Sequence, residues 1–234
     1  CTHHPPDLPT AAMVLDAMHM KLLIVGDGAC GKTSLLNTFV YNRFVTVYEP
    51  TAFEEISAPV TVDYNGKTYD VVLDLWDTAG QESFDTLRRL GYPDTEIILL
   101  CYSIDDRDSY NNVQDRWIEE IRANIENVSI ILVGCKNDLR QAPPQGPHFF
   151  EPVTTAEGQQ LSRSIGANGF FECSAKTGIG VQEVFRSAIR VVLQRTVGTA
   201  IPTNRNTHKY DLDPSDTEYS KLRPLRRRLK CIIS

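Results

Sequence analysis

The segment Gly26-Asp27-Gly28-Ala29-Cys30-Gly31-Lys32-Thr33 has the spacing GxxxxGK[ST]. Such a segment can hold a polyphosphate. Its glycines let the backbone curl so that successive N–H groups face the anion, and the helix that follows adds the positive end of its dipole. Lys32 reaches the β- and γ-phosphates, and the Thr33 hydroxyl is placed to ligate Mg²⁺. Further on, Asp77-Thr78-Ala79-Gly80-Gln81 offers a carboxylate for Mg²⁺ through water, an N–H at Gly80 for a γ-phosphate, and a Gln81 amide able to orient an attacking water. Two more stretches, Cys135-Lys136-Asn137-Asp138 and Cys173-Ser174-Ala175-Lys176, complete the set. A carboxylate at Asp138 accepting from N1–H and the 2-amino group would select guanine over adenine, whose edge lacks that donor pair. A site built on such bonds discriminates by orders of magnitude, because the wrong base leaves buried groups unpaired.

These four stretches need elements to position them. Residues 21–25 read as a short buried strand before the glycine-rich turn, with a helix beginning near Gly31. Residues 56–62 and 71–76 read as two strands joined through Asn65-Gly66, a strong hairpin signal. Segments 96–103, 129–134 and 169–173 are further strands. Val113, Trp117, Ile121 and Ile125 recur every four residues, which predicts one face of a helix. Thr154 with Glu157 gives a capping box opening another, and Val181, Val184, Phe185, Ala188, Ile189 and Val192 stripe the last. Alternation of this kind predicts an α/β fold, a six-stranded, mostly parallel sheet with helices on both faces. The chemical stretches then fall at the carboxyl edge of the sheet, where ligands bind in such folds. The prolines of 141–152 predict an exposed loop.

Composition bounds the rest. With 41% hydrophobic and 23% charged residues over 234 positions, a disordered or fibrous chain is excluded. The apolar runs are far too short to span a bilayer, and the expectation is against a secretory signal, since Asp16 and His19 interrupt its only candidate. The six cysteines are therefore expected to be reduced thiols, and none has CxxC spacing. Residues 221–230 hold six of the 24 Lys and Arg and no acid, leaving 18 cations against 30 Asp and Glu elsewhere. An acidic body with a basic end argues against nucleic acid as a partner and for an anionic membrane at the tail. The final Cys231-Ile232-Ile233-Ser234 is a CaaX box with Ser last, which favours farnesylation of Cys231. One lipid chain holds a protein marginally, and the cations supply the second signal. The expected organisation is a flexible extension at 1–20, a nucleotide-binding domain at 21–195 and a flexible tail at 196–234.

With these stretches in view, the chain resembles the Rho family of Ras-like small GTPases. Phe84-Asp85-Thr86-Leu87-Arg88-Arg89-Leu90-Gly91-Tyr92-Pro93-Asp94-Thr95, Tyr48-Glu49-Pro50-Thr51-Ala52-Phe53 and the run from Val133 to Arg140 narrow it to that family. The resemblance implies a GTP/GDP switch with Mg²⁺ that hydrolyses GTP slowly and signals from a membrane. Thr51 would join Mg²⁺ and the γ-phosphate, Tyr48 would close over the phosphates, and Phe44 would pack on the guanine. The Ala175 N–H would read O6, with Gly28, Ala29, Cys30, Gly31, Ser34, Lys136, Ser174 and Lys176 completing the nucleotide contacts. Exchange factors, activating proteins, dissociation inhibitors and effectors are the implied partners, and the cytoplasmic face of the plasma membrane, with a cytosolic pool, the implied location.

The chain departs from the family pattern in places. Glu54-Glu55-Ile56 changes the effector-reading segment, the Asn65-Gly66 hairpin is about four residues longer, and Cys135 stands where Asn or Thr would tie base loop to phosphate loop. A thiol is a weaker hydrogen-bonding group. No arginine is placed as a finger in cis, so intrinsic turnover should be on the order of 10⁻⁴ to 10⁻³ per second. Two rival readings are a membrane-anchored scaffold with a degenerate pocket and an ATP-using phosphotransferase. The intact Lys32, Thr33, Thr51, Asp77 and Gln81 oppose the first, and Asp138 with Ala175 opposes the second.

Overall fold

The computed structural model describes residues 18–45, 53–81, 84–140 and 151–198. Six strands, β1 (Met18–Gly26), β2 (Phe53–Tyr64), β3 (Lys67–Thr78), β4 (Ile97–Ser103), β5 (Ser129–Cys135) and β6 (Gly169–Glu172), form one sheet in the order β2-β3-β1-β4-β5-β6. Only β2 and β3 run antiparallel; the other four pairings are parallel. The α/β class and the strand count expected from the sequence are found.

Alternation along the strands decides which side chains face which layer. Leu22, Ile24, Ile97 and Leu99 join α1 (Lys32–Tyr41) and α6 (Val181–Val197) in one core, where Phe39 and Phe185 stack with centroids 3.8 Å apart. Their neighbours Leu23, Val25, Ile98 and Leu100 build the opposite core with Val113, Trp117, Ile121 and Leu161. That second layer contains α2 (Asp85–Arg89), α3 (Arg107–Asn112), α4 (Ile118–Asn124) and α5 (Thr155–Ser164). The whole expected stripe of α6 is buried. The capping box of α5 is also present, with Thr154 and Glu157 exchanging side-chain and backbone hydrogen bonds.

Three expectations need correction. First, β1 begins at Met18, and Met20 is buried, so the last three residues of the expected extension 1–20 belong to the sheet. Met18, His19 and Met20 pair with Val71, Val72 and Leu73, because the hairpin partner is long enough to receive them. Second, both hairpin strands have twelve residues, turning through Asn65 and Gly66 at φ 49° and 75°. Two successive positive φ values make the turn whose twist suits a hairpin. Third, the helix carrying Val113, Trp117 and Ile121 is not α-helical throughout. Val113–Trp117 is a π-helical turn between α3 and α4, and Ile118 N–H bonds to the Val113 carbonyl.

Strand β2 lies at one edge and carries Pro59 opposite Val72; β6, at the other edge, has four residues. The proline-rich expectation at 141–152 falls outside the described residues except for Glu151 and Pro152. On its two sides, Arg140 forks onto the Glu172 carboxylate (2.7 and 2.9 Å) and donates to the Val153 carbonyl (2.6 Å).

Candidate functional site

The carboxyl ends of β1, β3, β5 and β6 bring the four chemical stretches to one edge of the sheet. Between β1 and α1 the backbone passes through positive φ at Gly26, Ala29 and Gly31, so that α1 starts without a side-chain cap. Its first N–H groups are thus left for a ligand at the positive end of the helix. A side chain at Gly26 would overlap the Cys101 carbonyl, so the loop starts hard against β4.

Lys32 is buried and turned onto its own loop. Its Nζ donates to the carbonyls of Gly26 (2.9 Å) and Asp27 (2.6 Å). Thr33 Oγ1 donates to Asp77 Oδ2 (2.5 Å), while Asp77 Oδ1 is buried with no hydrogen-bond partner among the described residues. Burial pushes the Asp77 carboxyl up to about 6, against the opposing effects of the Thr33 hydrogen bond and the Lys32 charge. A buried carboxylate oxygen without a donor is costly. Beside a hydroxyl, it suits a hard divalent cation such as Mg²⁺, which takes few protein oxygens and keeps waters and substrate phosphates.

Gly80 is packed so tightly on the phosphate loop that a Cβ there would overlap Gly26, Asp27 and Gly28 backbone atoms. Gln81 is exposed, and a methyl placed on Gly28 would lie 3.7 Å from its Cγ. The structure therefore brings Gly80 and Gln81 to the loop that carries Gly28, Lys32 and Thr33.

Opposite this end, Asp138 Oδ1 accepts from Ser174 Oγ (2.6 Å), and Asn137 N–H donates to the Cys173 carbonyl (3.1 Å). Thr38 of α1 donates to the Ala175 carbonyl (3.1 Å), and Lys136, at φ 62°, pairs with Asp105 (3.3 Å). Cys135 is buried, and a Cβ on Gly31 would meet its Cβ at 3.4 Å. The Cys135 side chain thus lies beside Gly31, with no more than a methyl group's room between them. Phe44 is 37% exposed, Ser34 is half-buried, and Ala29 and Lys176 are exposed. Tyr48, Thr51 and Cys231 lie outside the described residues.

Several residues that hold the site escape the sequence reading. The Asp27 carboxylate accepts from Asn112 Nδ2 and Trp117 Nε1, both at 2.7 Å. Arg88, with its side chain fully buried, donates Nη1 to the Ala79 carbonyl (2.8 Å) and forks onto Glu120 (2.7 and 2.8 Å). Burial alone would lower the Arg88 pKa, but hydrogen bonds and charge from Glu120 and Asp85 raise it. Glu120 is correspondingly held low: burial works against its charge, and the bonds from Arg88 and Tyr92 prevail. In the sequence, Trp117 reads as one more apolar position on a helix face. Its polar edge gives no periodic signal.

Taken as chemistry, this edge can cradle a polyphosphate, hold a divalent cation by a few oxygens and read the hydrogen-bonding edge of a base. A model of the Ras family matches residues 21–194. Over 196 residues the chain is 50% identical to the GTP-binding protein RHO1 of Saccharomyces cerevisiae, covering 82% of this chain and 92% of that protein. It is 51% identical over 185 residues to the GTP-binding protein RHO1 of Candida albicans, covering 76% and 89%. The Rho1 protein of Kluyveromyces lactis is 48% identical over 197 residues, covering 82% and 93%.

Proposed function

Since the chain belongs to the Rho family of Ras-like small GTPases, GTP-hydrolysing switches that bind GTP, GDP and Mg²⁺, we propose that the edge built by β1, β3, β5 and β6 is its nucleotide site. The observation that carries this reading is the Asp77 and Thr33 pair. Among the described residues it leaves one buried carboxylate oxygen without a hydrogen-bond partner, beside a loop whose lysine is folded onto its own carbonyls.

The backbone N–H groups of Gly28, Ala29, Cys30, Gly31, Lys32 and Thr33, with Ser34 behind them, surround the phosphates. Lys32 exchanges the Gly26 and Asp27 carbonyls for phosphate oxygens. Thr33, Thr51 and Asp77 hold the divalent ion. When bound, Mg²⁺ held by these residues would supply charge neutralisation to the phosphates. Gly80 N–H meets the γ-phosphate, and the Gln81 amide orients water for in-line attack. Asp138 accepts from the guanine edge, the Ala175 N–H reads O6, and Phe44 and Lys136 flank the ring. Ser174 holds Asp138, with Lys176 beside them, and Tyr48 closes over the phosphates. Residues 44–54 and 78–92 act as the two switches, ordered by γ-phosphate contacts and released on hydrolysis.

Regulators and effectors accompany a GTPase of this family. The finer assignment is to an exchange factor, an activating protein, a dissociation inhibitor and effectors that read the segment containing Glu54, Glu55 and Ile56. No helix among the described residues is long and apolar enough to cross a membrane. Anchoring at the cytoplasmic face of the plasma membrane is assigned to a farnesyl group on Cys231 and the cations of 221–230. In this organisation the GTPase domain runs from β1, at Met18, to the end of α6, at Val197, in place of the expected 21–195, and the residues that follow are the tail. Replacing Cys231 with Ser should make the protein cytosolic in live-cell imaging, and persistent membrane binding would reject the anchor.

The test of the site is Gln81→Leu. It removes the water-orienting amide and leaves phosphate and base contacts in place. Single-turnover GTP hydrolysis should fall on the order of 10²-fold, as for loss of one positioned donor, with nucleotide affinity little changed. Parent-like hydrolysis would remove Gln81 from that role.

A further inference from the structure

We propose that Arg88 is a positioning residue for the γ-phosphate contact, aiming the Gly80 N–H by gripping the other side of the same peptide group. This rests on the reading of Gly80 N–H as a γ-phosphate donor. The Ala79 carbonyl and the Gly80 N–H belong to one planar unit and point in opposite directions. Fixing the oxygen therefore fixes the direction of the hydrogen. Arg88 Nη1 holds that oxygen at 2.8 Å, from a side chain with no solvent exposure. On its other side, Gly80 is pressed onto the backbone of Gly26, Asp27 and Gly28. The peptide is thus clamped between a guanidinium and the phosphate loop.

The clamp has a rigid support. A buried cation survives only if its donors are satisfied, and breaking such a set is costly. Arg88 Nε and Nη2 fork onto Glu120 at 2.7 and 2.8 Å, and Nη2 also reaches Asp85 at 2.5 Å. Glu120 accepts a further bond from the Tyr92 hydroxyl at 2.9 Å. The guanidinium lies over the Trp117 ring, 4.7 Å from its centroid. The edge of that ring, together with Asn112, holds Asp27 in the phosphate loop.

The π-helical turn makes this double grip possible. Residues five apart on an α-helix point roughly 140° from each other. Through a turn closed by i to i+5 bonding, Asn112 and Trp117 come onto one face and meet the same carboxylate. Helix residues 107–124 therefore brace both loops that flank the γ-phosphate position. The two arms differ in what they touch. Trp117 and Asn112 act on a loop that both GDP and GTP contact. Arg88 acts on a peptide that only the γ-phosphate contacts.

This difference sets the test. Dissociation constants for GDP and for a non-hydrolysable GTP analogue are measured with Mg²⁺ on the full chain, for the parent, Arg88→Lys, Arg88→Met and Trp117→Phe. Lysine keeps the charge beside Glu120 but lacks the fork, so it cannot hold Glu120 and the Ala79 carbonyl together. Arg88→Lys and Arg88→Met should lose about tenfold in analogue affinity while GDP affinity stays within about twofold. With analogue bound, the Gly80 amide proton should resonate downfield in the parent and shift back in both Arg88 variants. Trp117→Phe removes the Nε1 donor and should weaken both nucleotides together, by about threefold. If Arg88→Met does not fold, Arg88→Lys decides alone. Equal losses for both nucleotides in the Arg88 variants, or no loss for either, overturn this inference while leaving the pocket assigned. A parent that binds neither nucleotide overturns the reading of the pocket and this inference with it.

Discussion

At the proposed base end of the pocket, Asp138 holds Ser174, and Thr38 holds the Ala175 carbonyl; at the proposed phosphate end, Lys32 donates to the Gly26 and Asp27 carbonyls and Thr33 donates to Asp77. The base end would keep its bonds when nucleotide arrives, because Ser174 takes one acceptor position on Asp138 Oδ1 and leaves capacity on both carboxylate oxygens for the two ring donors. In the proposed site the phosphate end would exchange bonds: Lys32 would give up the Gly26 and Asp27 carbonyls, and Asp77 Oδ1, which has no hydrogen-bond partner among the described residues, would gain one. Pre-organised polar groups select what binds, and groups that swap partners report that binding has happened. A switch needs both.

The largest effect expected from this contrast is at Asp138. Replacing it with Ala removes two acceptor contacts to a charged group, worth about 3–6 kcal/mol, or on the order of 10²–10⁴ in guanine-nucleotide affinity. The melting temperature of the ligand-free protein should fall only modestly, since the Ser174 hydroxyl loses its acceptor while its oxygen still accepts from the Thr177 N–H. Titration with fluorescent GDP measures the first and thermal denaturation the second. A large loss of stability would mean that Asp138 is mainly structural.

A smaller effect sharpens the seam between the two ends. The Cys135 side chain lies beside Gly31, where the two loops come together. Cys135→Asn introduces a firm donor and acceptor there, worth about 1 kcal/mol, and GDP release should slow about fivefold. Stopped-flow release that is unchanged or faster would show that the thiol fills space and no polar tie is missing.

The smallest effect should leave the pocket alone. Glu157 in the α5 capping box receives the Thr154 N–H, Arg107 and the Thr154 hydroxyl, which together hold its carboxyl down to about 2. A folded-state value below the ordinary 4.5 means stabilisation that is complete above about pH 4.5 and fades as pH falls towards 2. Glu157→Gln should cost about 1 kcal/mol at pH 7, kept small because the side chain is 38% exposed and screened. The parent and variant should converge in urea denaturation near pH 2, with GDP affinity equal at pH 7. A changed affinity would show that α5 props the base loop.

Much of this arrangement is legible in the sequence because the signals are local. The phosphate loop, the Asn65-Gly66 turn and the Thr154 box each depend on residues within a few positions of one another. The start of β1 does not: Met18 joins the sheet only because Val71, on the far side of a long hairpin, is there to receive it. The brace behind the pocket is equally remote. Asp27 meets Trp117 across 90 positions, and Arg88 meets Glu120 across 32. A buried arginine also runs against the rule that places charge at the surface, so hydropathy patterning assigns it outside. Only the satisfaction of its donors explains it.

The two margins of the sheet bear on how copies of this chain behave when crowded. An exposed strand edge is a template for another chain. At one margin Pro59 removes a donor from β2, and Glu54, Glu55 and Asp63 place negative charge along the same strand. At the other, β6 has only four residues to offer. Neither margin gives an incoming strand a long, regular row of donors and acceptors. High local concentration should therefore not drive strand-to-strand aggregation, and the protein can be gathered densely without its sheet being extended.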